Sequence, residues 1–154
     1  MNWIIYTLVT VFTFVAMEGV AWLAHKYIMH GLLWRLHEDH HKPRSGKLFE
    51  KNDYFFVIFA LPAIICFVFG FSNFGIPFWV GLGITLYGMA YFFIHDLFIH
   101  QRAKVLRDAN SLYFKAIRKA HKVHHKHLGR EHGECFGMLW APLRYFKEAK
   151  KNPS

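Results

Sequence analysis

Ten of the twelve histidines in this chain fall into a pattern that occurs twice. His25 and His30 are followed by His37, His40 and His41; His95 and His100 are followed by His121, His124 and His125. Each half thus reads H-x4-H and then H-x2-H-H. Neutral imidazole is a common metal ligand, and a cluster of this density predicts a metal centre. Residues three and four apart share one face of a helix, so each triplet is expected to aim at one point. The five-residue step is less tidy, because it separates two side chains by roughly 140° around an ideal helix. Such a pair must straddle a metal, serve two metals, or sit where a helix ends. Gly31, directly after His30, favours the last option for the first pair.

Ligand type alone admits zinc, iron, copper or nickel. Ligand number is more informative, since ten histidines exceed the four positions around one zinc and point to two metal ions. At a membrane surface a dinuclear iron site is the natural reading. Iron can activate oxygen against an unreactive hydrocarbon, whereas zinc has no redox chemistry.

The elements that must carry these histidines are apolar. The 154 residues are 54% hydrophobic and 19% aromatic, above the average for a soluble domain. Three blocks, about 3–24, 54–71 and 76–94, hold a single charge between them, Glu18. Each approaches the roughly 20 residues that a helix needs to cross a bilayer. The expected fold is therefore an all-α integral membrane protein, one domain over 1–154, with about three transmembrane helices and a helical cap bearing the dimetal site. The first block lacks a basic start and a small-residue cleavage site, which argues against a cleaved signal peptide.

Lysine and arginine collect in cytoplasmic loops beside membrane helices. Six of the nineteen lie between Lys26 and Lys51 and the other thirteen between Arg102 and Lys151, while the turn Ser72–Gly75 has none. The N-terminus is expected outside, with 25–53 and 95–154 on the cytoplasmic side. All twelve histidines then share one side of the membrane. Orientation and anionic headgroups account for the net charge of +9 without nucleic acid as a partner.

Within the cap, a helical piece from Leu32 to His41 is expected to end at Pro43, in the breaking stretch Lys42–Gly46. A basic helix over 103–127 is expected to lie along the cytoplasmic surface, and 137–146 to pack back on the site or the bilayer. The residues after Lys147 read as a solvated end. Pro62 is a candidate kink, and Gly81, Gly83 and Gly88 would let helices or a ligand approach closely. Cys66 and Cys135 belong to no Cys-x2-Cys pair, so neither cysteine-type zinc nor disulfide chemistry is supported. Glu18 lies two turns before His25 on the same face. It reads equally as a residue supporting the site or its channel and as an interfacial acid paired with a basic neighbour.

The histidine pattern resembles the membrane fatty-acid hydroxylase and sterol desaturase superfamily. Within it the chain is similar to the bacterial-type carotenoid hydroxylases, over about Glu18 to Pro142. The residues that carry this are His37-x2-His40-His41-Lys42-Pro43-Arg44-x-Gly46-x2-Phe49-Glu50-x-Asn52-Asp53, His95-Asp96-x3-His100-Gln101-Arg102, and His121-x2-His124-His125 followed by Gly137-Met138-Leu139-Trp140-Ala141-Pro142. The resemblance implies O2-dependent hydroxylation of β-ionone rings at carbon 3, converting β-carotene through β-cryptoxanthin to zeaxanthin. Keto-carotenoids on the way to astaxanthin are also accepted by related enzymes. It implies two irons held by the ten histidines, with electrons from a ferredoxin-type donor or NAD(P)H-linked reductase, in a bacterial inner membrane. Zinc can replace iron in a purified sample.

A cluster of neutral imidazoles around metal ions is strongly cationic, so carboxylates that accept the second ring proton are expected nearby. Asp39, Asp96, Asp108, Glu131 and Glu134 are the candidates, with surface ion pairing as the alternative for each. His127 and His132, outside the pattern, read as polar surface residues. A carotenoid reaches such a site only through the bilayer lipid, and Tyr87, Tyr91, Phe92 and Phe55 are candidate walls of its path. A fatty-acid or sterol hydroxylase or desaturase would share the metal chemistry. A haem carrier would place histidines inside the helices, and a metal transporter would need polar ligands at mid-membrane; the blocks supply neither.

Overall fold

A computed structural model describes residues 2–42, 49–103 and 106–151. Every regular element among them is helical. Helix α1 (Trp3–Leu32) is an α-helix over Trp3–Leu23 and a π-helix over Ala24–Leu32. The short α2 (Trp34–His37) tightens into a 3-10 turn over Glu38–His41. A second 3-10 turn, Lys51–Asp53, opens α3 (Tyr54–Gly70). Helix α4 (Ile76–Phe92) continues as a π-helix over Phe93–Ile99. Helices α5 (Leu112–His124) and α6 (Leu143–Lys151) follow. The expected helix end at Pro43, with the rest of Pro43–Gly46, lies outside the described residues.

Three helices are long and apolar enough to cross a membrane: Trp3–Leu32 with 30 residues, Lys51–Gly70 with 20 and Ile76–Ile99 with 24. They coincide with the apolar blocks, and the first and third run on into the histidine-bearing segments. The chain is an all-α membrane protein. Helix α4 is the middle element, packed on α1 and on α3. Lipid tails are as apolar as leucine, so close approach between such helices depends on small residues. A Cβ built at Gly81 would stand 3.1 Å from the Ala63 carbonyl of α3, and one at Gly83 would stand 2.7 Å from the Thr10 carbonyl of α1. Gly88 has open space in front of it and lines a cavity. Pro62 sits within α3, which runs on past it to Gly70.

Outside the spans, α5 and α6 pack on each other and on residues 136–141. Their core joins Ala116, Ile117 and Ala120 of α5 to Met138, Ala141, Tyr145 and Ala149, with Ile94 from the end of α4. Two expectations are corrected here. The basic helix starts at Leu112 rather than near 103, because the Ser111 hydroxyl caps the amide of Phe114 and the backbone before it turns through positive φ at Gln101 and Leu106. Of the residues expected as a solvated end, 148–151 continue α6 and bury Ala149 while Lys150 and Lys151 are exposed, and 152–154 lie outside the described residues.

Glu18 sits at the seam between spans and cap, bound to the cavity-lining Tyr87 and not to a basic neighbour. One carboxylate oxygen accepts from the amides of Met138, Leu139 and Trp140 at 2.9–3.0 Å; the other accepts from Leu139 at 3.1 Å and from the Tyr87 hydroxyl at 2.7 Å. No basic side chain is among these partners. A carboxylate held by several backbone N–H groups is satisfied without a counter-ion, so one acid from α1 clasps the cap loop to α4.

Candidate metal centre

The five-residue step is resolved by the winding of the backbone. His25 and His30 both lie in the first π segment; His95 lies in the second, and the His100 amide donates to the His95 carbonyl at 2.9 Å. Bonding from i to i+5 widens each turn, so residues five apart come onto one face instead of diverging. Ring centroids are 5.1 Å apart for His25–His30 and 4.5 Å for His95–His100. Gly31 does not end the first helix, which winds on to Leu32.

The structure gathers the rings into two groups. His25, His30, His37, His41 and His124 form the first; His40, His95, His100 and His121 form the second, and within each group the candidate ligand atoms lie within 4.8 Å of one another. His125 stands between them, its ring 4.5 Å from those of His41 and His121, and its Nε2 is buried with no partner among the described residues. The expectation that each triplet aims at one point is therefore corrected. Adjacent helical residues point about 100° apart. His37 and His41 face the first group while His40 faces the second; His124 faces the first while His121 faces the second.

Seven of these rings are fixed by a hydrogen bond from Nδ1 to an oxygen that can only accept. His25 donates to the Phe136 carbonyl (3.0 Å), His30 to Arg130 (3.2 Å), His41 to His127 (3.0 Å) and His124 to Glu134 (2.8 Å). His37 donates to Asn52 Oδ1 (2.6 Å), His40 to Glu50 Oε2 (2.8 Å) and His95 to Asp96 Oδ2 (3.0 Å). A neutral ring with its proton on Nδ1 turns a bare lone pair outward from Nε2. Those lone pairs confront each other: Nε2 to Nε2 is 3.1 Å for His25–His37 and His37–His41, 3.2 Å for His30–His124 and 3.0 Å for His40–His95. No proton remains to bridge them. Protonation is no remedy, because burial, reinforced by the neighbouring imidazoles, holds His41 down at about 4, His125 at about 3 and His124 at about 2. Burial also keeps His37, His40 and His121 well below the ordinary histidine value. Two nitrogens bound to one metal at about 2.0–2.1 Å each stand about 3 Å apart, so converging lone pairs at these spacings fit a metal ion in each group.

The expected carboxylates divide. Asp96 accepts from His95 as described. Glu134 supports His124 only through its backbone carbonyl, while its carboxylate pairs with Arg144 and accepts from the Tyr145 hydroxyl. Asp39 accepts from the Lys51 amide at 2.7 Å, Glu131 lies exposed beside Arg130, and Asp108 is exposed; none of the three touches an imidazole in a described contact. These are corrections: Asp39 adjoins His40 in sequence but spends its carboxylate on the Lys51 amide, and Asp108 and Glu131 lie at the surface. Residue-by-residue reasoning missed Glu50 and Asn52, although both stand in the motif that follows the first triplet. The turn Lys51–Asp53, closed by reciprocal side-chain caps between Glu50 and Asp53, aims them at different groups.

On the membrane side, a cavity of about 370 Å³ lies among α1, α3 and α4, within the range of small-molecule sites. Its walls are almost wholly apolar and include Met17, Phe59, Ala63, Gly88 and the expected Phe55, Tyr87, Tyr91 and Phe92. Its polar end is formed by Asn52, His95 and Asp96. The Tyr91 ring lies tilted 5.0 Å from that of His95, and Phe55 lies 6.2 Å from that of His37.

Comparison with known proteins agrees with this architecture. The fatty acid hydroxylase family matches residues 10–143. A β-carotene hydroxylase of Pseudescherichia vulneris is 41% identical over 90% of this chain and 78% of its own length. One of Pantoea ananas is 42% identical over 92% of this chain and 81% of its own. A chloroplastic β-carotene 3-hydroxylase of Arabidopsis thaliana is 45% identical over 83% of this chain, which spans 43% of that longer protein. No solved structure matches. The histidine-bearing membrane helices, the paired ring clusters and the extent of these matches lead to one assignment: the chain belongs to the fatty acid hydroxylase family.

Proposed function

We propose that this protein is a carotenoid hydroxylase that adds oxygen at carbon 3 of β-ionone rings, converting β-carotene through β-cryptoxanthin to zeaxanthin, with keto-carotenoids as further substrates. The carrying observation is the apolar cavity that leads from the spans to His95 of the second histidine group, with Asn52, the partner of His37, also on its wall. The similarity to β-carotene hydroxylases over most of the chain supports the substrate. We assign the ten patterned histidines as the residues that would hold two irons, which, supplied with electrons by a ferredoxin-type donor or NAD(P)H-linked reductase, would activate O2.

The protein's own residues do the rest. The seven backed rings keep their Nε2 lone pairs turned inward. Phe55, Phe59 and Phe92 give a rigid polyene an apolar slot, and Tyr91 and His95 meet its ring end. Tyr87, with its hydroxyl committed to Glu18, presents only its ring to that slot. Since the cavity lies within the bilayer, substrate enters from lipid. The site lies on the cytoplasmic face with the N-terminus outside, an orientation supported by the distribution of lysine and arginine.

The test is expression in a bacterium that accumulates β-carotene, with pigments separated by chromatography and a His124→Ala control. Zeaxanthin formed only by the intact chain is the expected result. Unchanged β-carotene, from membrane-inserted and iron-loaded protein, would overturn the carotenoid assignment in favour of a fatty-acid or sterol substrate.

A further inference from the structure

We propose that the two histidine groups are unequal metal positions, and that the carboxylates of Glu50 and Asp96, held by Arg102, act on the second position alone. The inference rests on the two-metal reading above and concerns what stands behind the rings. In the first group every described acceptor is neutral: the carbonyls of Phe136, Arg130, His127 and Glu134, and the side-chain oxygen of Asn52. In the second group the two described acceptors are carboxylates, Glu50 behind His40 and Asp96 behind His95. A bond to a charged acceptor is roughly twice as strong as one to a neutral acceptor, and it pushes electron density through the imidazole onto the metal-facing nitrogen.

Arg102 ties the two carboxylates into one unit. Its Nε pairs with Asp96 at 2.8 Å, and its terminal nitrogen with Glu50 at 3.3 Å and with Asp53 at 2.6 Å. Among the described residues, the carboxylates of Glu50, Asp53 and Asp96 thus converge on one guanidinium, with Glu50 and Asp96 standing behind His40 and His95. Asp96 is almost fully buried, where water screens least. The caps that close the turn after Glu50 let one short stretch send a carboxylate to one group and, two residues on, an uncharged amide to the other. Glu50, Asp96 and Arg102 are positioning residues here, acting through the rings they orient.

Titration of the metal-free, detergent-solubilised full chain with Co2+, read by its visible absorption and by bound-metal analysis, tests this. The Glu50→Gln/Asp96→Asn double variant keeps an oxygen for each imidazole proton and removes only the charge. The expected result is that wild type takes up two equivalents, while in the double variant one binds 10- to 100-fold more weakly and the other is unchanged. Asn52→Ala, which takes the acceptor from His37, should weaken the equivalent that the double variant spares. Equal weakening of both equivalents by the double variant, or no change in either, overturns the inference. A wild type that binds fewer than two equivalents overturns the two-metal reading itself, and this inference with it.

Discussion

The membrane-spanning half and the histidine-bearing cap of this protein are held together by different means. Between the spans the tightest contacts are bare backbone: Gly70 of α3 against Phe78 of α4 and Gly83 of α4 against α1 leave no room for a Cβ, and Gly81 leaves little beside α3. In and above the π segments, seven histidine rings are each fixed by an oxygen acceptor, and the cap core supplies only a modest apolar cluster. Lipid gives the spans no hydrophobic reason to associate, so they depend on shape. The cap must hold nitrogen atoms at set positions, so it depends on direction. A fault in the first half should loosen the protein broadly, whereas a fault in the second should disarm the site.

The largest expected effect is on the directional side. His124 is fully buried and belongs to the first group. His124→Ala should abolish product formation, by at least about 100-fold, and lower bound iron in the purified protein, with helix content retained. Normal iron content in that variant would mean that the ring contacts are only packing.

Acid should act on the same side. His41, His124 and His125 have folded values of about 4, 2 and 3, below their unfolded value near 6.5. The unfolded state therefore takes up protons first as pH falls. For these three groups the metal-free protein keeps its full stability above about 6.5 and loses it progressively as pH drops toward 4. Melting followed by circular dichroism should give a midpoint at pH 5 lower than at pH 7.5, by about 2–4 °C for each kcal/mol lost. A midpoint that rises on acidification would refute the burial argument.

The seam comes next. Glu18→Ala removes the acceptor for three cap amides and the Tyr87 hydroxyl. Orphaned polar groups cost about 1–3 kcal/mol each when buried. Amide exchange in 136–145 should quicken far more than exchange in α3. Uniform change across both regions would deny Glu18 its role as a clasp.

The smallest effect is expected on the shape side. Gly83→Ala gains up to about 1 kcal/mol of helix propensity but drives a methyl to within 2.7 Å of the Thr10 carbonyl and of Thr13, an overpacking cost of about 1–3 kcal/mol. A net destabilisation of about 1 kcal/mol, with iron content unchanged, is the outcome that keeps the two halves distinct.

Much of this molecule could be read from residue order. A bilayer demands about 20 apolar residues per helix whatever their order, so the three spans stood out by composition alone. Imidazole density named a metal centre for the same reason. The supporting shell was less legible: Asp96 was found because it adjoins His95, but Glu50 and Asn52 reach rings ten and fifteen residues back, across a stretch that sequence reads only as a loop. Glu18 could be singled out as the one acid in the apolar blocks, yet its partners lie 69 and 120–122 residues away along the chain.

Composition and residue order define the kind of protein: helices that cross a membrane, ten patterned histidines near their ends, and chemistry suited to a metal pair. Only the tertiary structure decided how those histidines divide. Neighbours such as His40 and His41 differ by one residue in sequence and by about 100° in direction, and which centre each meets depends on where other helices bring their own rings. The π winding likewise belongs to the fold. A pattern with five residues between partners states that two rings are wanted together; the widened turn is what lets one helix present both.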